Sequence, residues 1–294
     1  MKLNKLAMSI GAALVFGAAM SNANAAVQFY FPQTTFEDDN NDFFIDNNDN
    51  GLIDVGDRLV STFEIGTTAD PFGSDSASIG PSQELTGIID SIVTGKIPGG
   101  FGAFLFTFGP NLASPYIDGA GGEVARAWLA SGADVNLDLP GQNCTNLADC
   151  TAKASDGSAF LSIGFSGDAD DYFAFLGTDN PATVAGGSAG TAFTTANFAL
   201  SILLNNTGLT FAELDCTVNP LNPAGLCDGI GAGEDGKTDV VGSGSILGGA
   251  GLTNGAFGRS DFDFNVAPIP EPGSLALLGL GLLGLAGLRR SKRA

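Results

Sequence analysis

Hydrophobic and polar positions alternate with a period of two along much of the chain. Val27, Phe29 and Phe31 fall on one side, with Gln28 and Tyr30 on the other. Leu59, Ser61, Phe63 and Ile65 oppose Val60, Thr62 and Glu64, and Phe104, Phe106 and Phe108 alternate with Leu105 and Thr107. Residues 160–165, 198–204 and 261–266 repeat the habit. Alternation rich in aromatics and bounded by Gly, Asn and Asp predicts half-buried strands. Helical evidence is thin. Leu85, Ile88, Ile89 and Ile92 have helical spacing, which a buried strand explains nearly as well, and 123–130 is a short Ala-containing run around Trp128. The Gly-rich stretches 186–187 and 242–251 and the polar segment 70–80 read as loops. Of 22 Phe, 21 lie beyond residue 25, enough aromatic bulk for one core. The expectation is all-β: a single β-sandwich-like domain over residues 26–267, with long Gly/Asp/Asn-rich loops.

Two segments break this pattern. At the N-terminus, Lys2 and Lys5 precede an apolar run from Leu6 to Met20, and Ala23-Asn24-Ala25 supplies small residues at a cleavage position. That is the build of a signal peptide over residues 1–25, so the mature chain is expected to start near Ala26. At the other end, the proline-locked stretch Pro268-Ile269-Pro270-Glu271-Pro272 is expected to continue neither a strand nor a helix. Sixteen uncharged residues follow, 273–288, built mostly of Leu, Gly and Ala; Arg289, Arg290, Lys292 and Arg293 then close the chain. This reads as a transmembrane helix, short for a ~30 Å hydrocarbon core. Its basic stop belongs on the cytoplasmic side.

Pro270, Glu271 and Pro272, the Gly/Leu/Ala span and the basic cluster led by Arg289 and Arg290 together resemble the PEP-CTERM sorting signal of Gram-negative bacteria. The resemblance covers only residues from Pro270 onward. It implies export by the Sec machinery, transient residence in the inner membrane and processing by exosortase. Delivery to the cell surface or extracellular matrix would follow. It further implies a structural or adhesive place in exopolysaccharide, biofilm or floc.

Charge and composition narrow the chemistry. The chain has 32 Asp and Glu against 12 Lys and Arg, and it has no His. Between Ala26 and Pro270 only six cations face 31 acids. A surface of that sign does not bind nucleic acid. The lack of His removes Ser-His-Asp triads, Cys-His pairs and His-ligated zinc. Four cysteines occur as two local pairs, Cys144 with Cys150 and Cys216 with Cys227. In an exported chain an even count predicts disulfides. Three connectivities are possible; two short loops, the first a tight surface loop, are the simplest.

Residues 46–57 hold the one motif with chemistry in it. Asp46, Asn48, Asn50, Asp54 and Asp57 place side-chain oxygens at positions 1, 3, 5, 9 and 12 of a calcium loop. Gly51 occupies the sharp-turn position, and Leu52 would offer its backbone carbonyl to Ca2+. The loop resembles the EF-hand-like loops of dockerin modules, although Phe43-Phe44-Ile45 and the run from Leu59 to Ile65 predict flanking strands instead of helices. An Asn-rich solvated turn is the plain alternative. Asp38, Asn40 and Asp42 form a weaker partial copy just upstream. Asp168, Asp170 and Asp171 are a second, weaker metal candidate, with a solvated loop as the default reading. No catalytic residues are assigned, and the expectation is a non-enzymatic protein. The rivals are a secreted carbohydrate-active enzyme, which needs two opposed carboxylates and an aromatic cleft, and a glycan-binding module. One Trp and three Tyr are scant for the enzyme, and the binding module would show a flat or concave aromatic face.

Overall fold

A computed structural model describes residues 27–80, 82–132, 134–137, 142–188, 190–217, 227 and 233–270. The expected signal helix and C-terminal span lie outside the described residues. No helix among the described residues is long and apolar enough to cross a membrane. The strands are β1 (Thr34–Ile45), β2 (Arg58–Ala69), β3 (Ser76–Ser78), β4 (Gln83–Gly100), β5 (Ala103–Pro110), β6 (Glu123–Ser131) and β7 (Ser158–Gly164). They continue as β8 (Tyr172–Gly177), β9 (Thr194–Asn205), β10 (Thr210–Ala212), β11 (Leu214–Asp215), β12 (Lys237–Thr238), β13 (Val240–Gly248) and β14 (Gly258–Ile269). Two short helices join them, α1 (Leu147–Ala154) and α2 (Pro181–Ala185).

The all-β, sandwich-like expectation holds, and its facing walls belong to one antiparallel sheet that closes on itself. Pairing runs β2–β1–β14–β13–β9–β7–β6–β4, and β4 pairs back onto β2. The wall also forks. Residues 83–89 of β4 pair with β6, while 91–100 pair with β5. β9 likewise pairs with β8 through 194–199 and with β7 through 201–205, and β5 pairs with β8. Inward side chains fill the enclosed space with aromatics. Phe36 stacks on Phe264 at 4.7 Å between centroids, and Phe108 meets Phe175 at 4.6 Å. Edge-on contacts join Phe173 to Phe175 and Phe198 at 5.1 and 5.9 Å. Ring pairs of this kind add to the area term from burial alone.

Antiparallel register sorts the connections to two ends. β1 begins, β2 finishes, β4 begins and β14 finishes at one end, here the tail end, because Ile269 leads into the C-terminal segment. Residues 46–57 and the β4–β5 hairpin lie at the other, the loop end. A twelve-residue strand such as β1 spans about 40 Å between them.

Several local expectations need correction. Leu85, Ile88, Ile89 and Ile92 lie in β4, and 123–130 in β6, so neither is helical. Leu85 faces the core while Ile88 packs on the outside, so β4 carries apolar residues on both faces. Most of 242–251 is strand, not loop: Gly242 to Gly248 belong to β13. The glycines there answer bulky neighbours, since a Cβ on Gly242 would overlap the Phe198 ring and one on Gly244 the β14 backbone at Asp261. Segment 70–80 contains the short edge strand β3, and Val27 to Phe31 precede β1 without being strand. Both disulfides take the two-short-loop connectivity. The cysteines themselves lie in the interior, not at the surface. Cys144 and Cys150 are buried with Phe43, Val60, Ile88 and Trp128 beneath α1, and Cys216 and Cys227 with Tyr172 and Ala199. Sulfur is apolar, and the outward faces of a closed sheet need cover, which these bridges hold down.

Candidate functional site

Residues 46–57 are the whole connection between β1 and β2, so the loop is presented by a β-hairpin, as its flanks predict. Its shape comes from its own oxygens. The Asn48 N–H donates to Asp46 Oδ1 at 3.1 Å, the Asn50 N–H to Asn48 Oδ1 at 3.1 Å and the Leu52 N–H to Asn50 Oδ1 at 2.8 Å. The Gly51 N–H reaches back to Asp46 Oδ2 at 2.6 Å, with Gly51 in the left-handed region at φ 79°. A residue with a Cβ is strained there. These bonds, that from Gly51 foremost, hold the Asp46 carboxyl below its usual pKa. Asp57 is buried at the closing position and accepts from the Asn47 and Asp54 N–H groups at 2.9 and 2.7 Å.

A cation already lies beside the loop. Lys96 Nζ sits 2.8 Å from Asp54 Oδ1 and 2.9 Å from Asp179 Oδ2, and 4.6 Å from the Phe104 ring centre. Burial favours the neutral amine, but its hydrogen bonds to Asp54 and Asp179 keep the Lys96 pKa above the ordinary value. The hydrogen bond from Lys96 in turn draws the Asp54 carboxyl down. With the Ile53 N–H on the Asp179 carbonyl at 2.8 Å, the loop is docked on the β8–α2 connection. The donor set suits a hard cation: three carboxylates, two amide oxygens and one carbonyl in one continuous turn. Two donors are set against it: Lys96 on Asp54 Oδ1, and the Asn50 side-chain amide, which donates to Asp54 Oδ2 at 2.6 Å.

Asp38, Asn40 and Asp42 are not a second loop. They lie in β1, and its register against β2 and β14 turns all three inward beside Phe63, Ile65 and Phe262. The result is a polar ladder in an aromatic core. Asp38 Oδ1 accepts the Phe262 N–H at 2.7 Å, and the Asn40 side-chain amide lies 3.1 Å from its carboxylate, where only the orientation that turns the amide nitrogen toward it makes a hydrogen bond. Asp42 Oδ1 accepts from Ser61 Oγ at 2.5 Å and Ser260 Oγ at 2.9 Å, while Asp42 Oδ2 has no hydrogen-bond partner among the described residues. Burial pushes the Asp38 pKa well above the usual carboxylate range and that of Asp42 up to about 7. Asp38 also lines a core cavity of about 50 Å³ with Phe63, Ile89, Phe198 and Phe262. Period-two reading missed this ladder because its acids look like the exposed half of a strand. The one available signal was Phe36 and Phe44 at the same parity.

Asp168, Asp170 and Asp171 turn to separate partners. Asp170 is fully buried and takes the Asp235 and Gly236 N–H groups at 2.8 and 3.0 Å. Its carboxylate lies within 4.8 Å of both Cys216 and Cys227 sulfurs, which are bonded to each other. Asp171 accepts from the Ser166 N–H at 2.8 Å and from Ser201 Oγ at 3.0 Å, and Asp168 takes the Asp170 N–H at 3.0 Å. This arrangement ties the loop before β8 to β9 and to the segment before β12.

Residues 268–291 match the family described as the PEP-CTERM protein-sorting motif. No curated protein and no solved structure matches the chain. The match begins inside β14, at Pro268, so the sorting motif grows directly out of the last strand. Of Pro270, Glu271, Pro272, Arg289 and Arg290, only Pro270 falls within the described residues. The chain carries a PEP-CTERM motif, which marks an exosortase-targeted protein exported to the cell surface.

Proposed function

We propose that the protein is a non-enzymatic component of the extracellular matrix, structural or adhesive within an exopolysaccharide, with a calcium-stabilised hairpin loop at the end far from its tail. The observation that carries this is the sorting motif joined without a spacer to a closed, aromatic-filled β-domain. The use of the buried acids supports the non-enzymatic reading. Asp90 is held by Arg58 through two bonds of 2.6 Å, Glu123 binds Arg126 at 2.6 Å, and Glu84 takes the Asp134 and Val135 N–H groups at 2.5 and 3.1 Å. Each stabilises a wall or a turn instead of facing an opposed carboxylate across a cleft.

The route is tested by expressing the chain in cells with and without exosortase. Processed protein in the matrix fraction only when exosortase is present supports it; equal release from both strains overturns it. Calcium is tested by titration into the purified protein. Asp46, Asn48, Asn50, Asp54, Asp57 and the Leu52 carbonyl would hold the ion. At a hundredfold excess over Kd, binding adds about 2.7 kcal/mol, which raises Tm by roughly 5–10 °C for a domain of this size. Lys96→Met removes the competing ammonium and should tighten calcium several-fold, whereas Asp46→Asn should weaken it. A Tm indifferent to calcium in all three proteins would reduce residues 46–57 to a self-bonded turn.

A further inference from the structure

Both chain segments read as membrane-inserting leave the barrel from one end. Residue 27 follows the signal segment directly, and Phe29 packs on Phe36, Phe160 and Phe211 at 5.7, 6.4 and 5.8 Å. Phe211 in turn pairs with Pro268 beside Ile269. At this end the surface carries exposed large apolar side chains: Phe31 is 68% exposed, Phe72 84% and Ile269 42%. Phe72 stands in the β2–β3 turn, which the Thr35–Ala69 pairing brings beside the start of β1. The start of β1 is paired through Thr34 to Val266, three residues before Ile269. A single exposed Phe is ordinary. Exposed apolar side chains also stand at the loop end, Leu52, Val55, Ile97 and Phe101 among them, so exposure alone does not choose an end; the tail junction does, and Phe31, Phe72 and Ile269 are the exposed apolar residues beside it.

The linker sets the distance. Only Pro270, Glu271 and Pro272 separate Ile269 from the apolar run that starts at Gly273. Three residues reach about 10 Å at full extension, and the headgroup layer of one leaflet is roughly 5–8 Å thick. With the apolar run in the hydrocarbon, Ile269 therefore lies at the lipid surface. We propose that, before its tail is cut, the protein rests on the bilayer through this end, with Phe31 and Phe72 set into the lipid interface beside Ile269. The partner is an uncharged lipid interface: the six cations against 31 acids between Ala26 and Pro270 give no attraction to anionic headgroups. The seat orients the substrate, holding the Pro-Glu-Pro segment at a fixed depth and the 46–57 loop about 40 Å away from the membrane. This inference rests on the sorting tail being membrane-inserted.

The test uses the full chain in phosphatidylcholine vesicles whose acyl chains carry bromine, a short-range quencher of tryptophan. Phe72→Trp and Phe31→Trp report on the tail end, and Phe101→Trp on the fully exposed tip of the β4–β5 hairpin at the loop end. Native Trp128 is buried and gives the same background in all three. The expected result is flotation with the vesicles, loss of most of the added emission in the Phe72→Trp and Phe31→Trp proteins, and undiminished emission in Phe101→Trp. Flotation without loss in either tail-end variant overturns the docked end while leaving the tail reading intact. Equal loss in all three variants overturns the orientation. A chain that does not float removes the tail reading and the docking together. Two tail-end reporters keep the test valid if one substitution prevents folding.

Discussion

Asp42 illustrates how a residue suited to one environment comes to sit in another. Its neutral form fits the core and its anion does not, because burial outweighs the hydroxyls of Ser61 and Ser260 and lifts its pKa to about 7. The unfolded chain ionises this carboxyl near its ordinary value, so between those values the unfolded state binds fewer protons than the folded one. Stability then falls as pH rises from about 4 to about 7 and levels off above, on the order of 4 kcal/mol from this group. Asp38 adds to the same trend. Asp46 and Asp54 act oppositely: their lowered pKa values mean stability present above the ordinary carboxylate pKa and lost on acidification below it. Calcium-free protein should thus be most stable at mildly acidic pH. Asp42→Asn keeps an acceptor for both hydroxyls and removes the charge. Urea unfolding from pH 4 to 8 should give a flatter profile for Asp42→Asn, with the variant more stable than wild type at pH 8. An unchanged slope would show that Asp42 ionises freely in the folded protein.

At the level of elements, β13 tests the packing most directly. Its glycines leave room for Phe198 and Phe262 from the strands on either side. Gly242→Val forces a branched side chain into the Phe198 ring, and overpacking of this kind costs about 1–3 kcal/mol or more. Urea midpoints should register that loss, while the neighbouring Val241→Ala, half-buried on the opposite face, should cost less. The same strand shows why part of the fold was hidden in the sequence. The Phe-rich strands declare themselves because each carries its own alternation; β13 has small residues on the inward side and borrows its hydrophobicity from its neighbours. Val240, Gly242, Gly244 and Ile246 face the core, and the two glycines between the apolar pair do not look like core residues in isolation. The 46–57 loop was legible for the opposite reason, since most of its bonds close within its own twelve residues, from residue i to i+2 or i+5 and across to Asp57. Lys96 and Asp179 were not, because they reach the loop only through the fork of β4 and β5 around β8. The cysteine pairs were readable as pairs, but their burial, Cys144 and Cys150 at α1 and Cys216 and Cys227 beside Tyr172 and Ala199, depends on tertiary cover that no local pattern encodes.

The whole molecule carries its charge unevenly, and that gives a way to separate a specific ion from a general one. Glu37 and Asp39 of β1 neighbour Asp261 and Asp263 of β14 on the outer face of the sheet, and Glu64 pairs with Asp39. Like charges on adjacent strands destabilise the pair. Half-buried Asp263 is accordingly pushed up to about 6, by burial first and then by Asp261, Glu37 and Asp39. Any salt relieves such repulsion, since at physiological ionic strength the Debye length is about 8 Å. Sodium chloride should therefore raise Tm progressively at neutral pH and then plateau. A calcium effect that merely screens this face should vanish once that plateau is reached. One that comes from residues 46–57 should persist there, because ligands within a few ångströms of an ion are scarcely screened. Melting curves with calcium or chelator, at low salt and on the plateau, distinguish the two. A calcium shift that survives high salt in wild type and is lost in Asp46→Asn assigns the ion to the loop; a shift that high salt abolishes in both assigns it to the acidic wall.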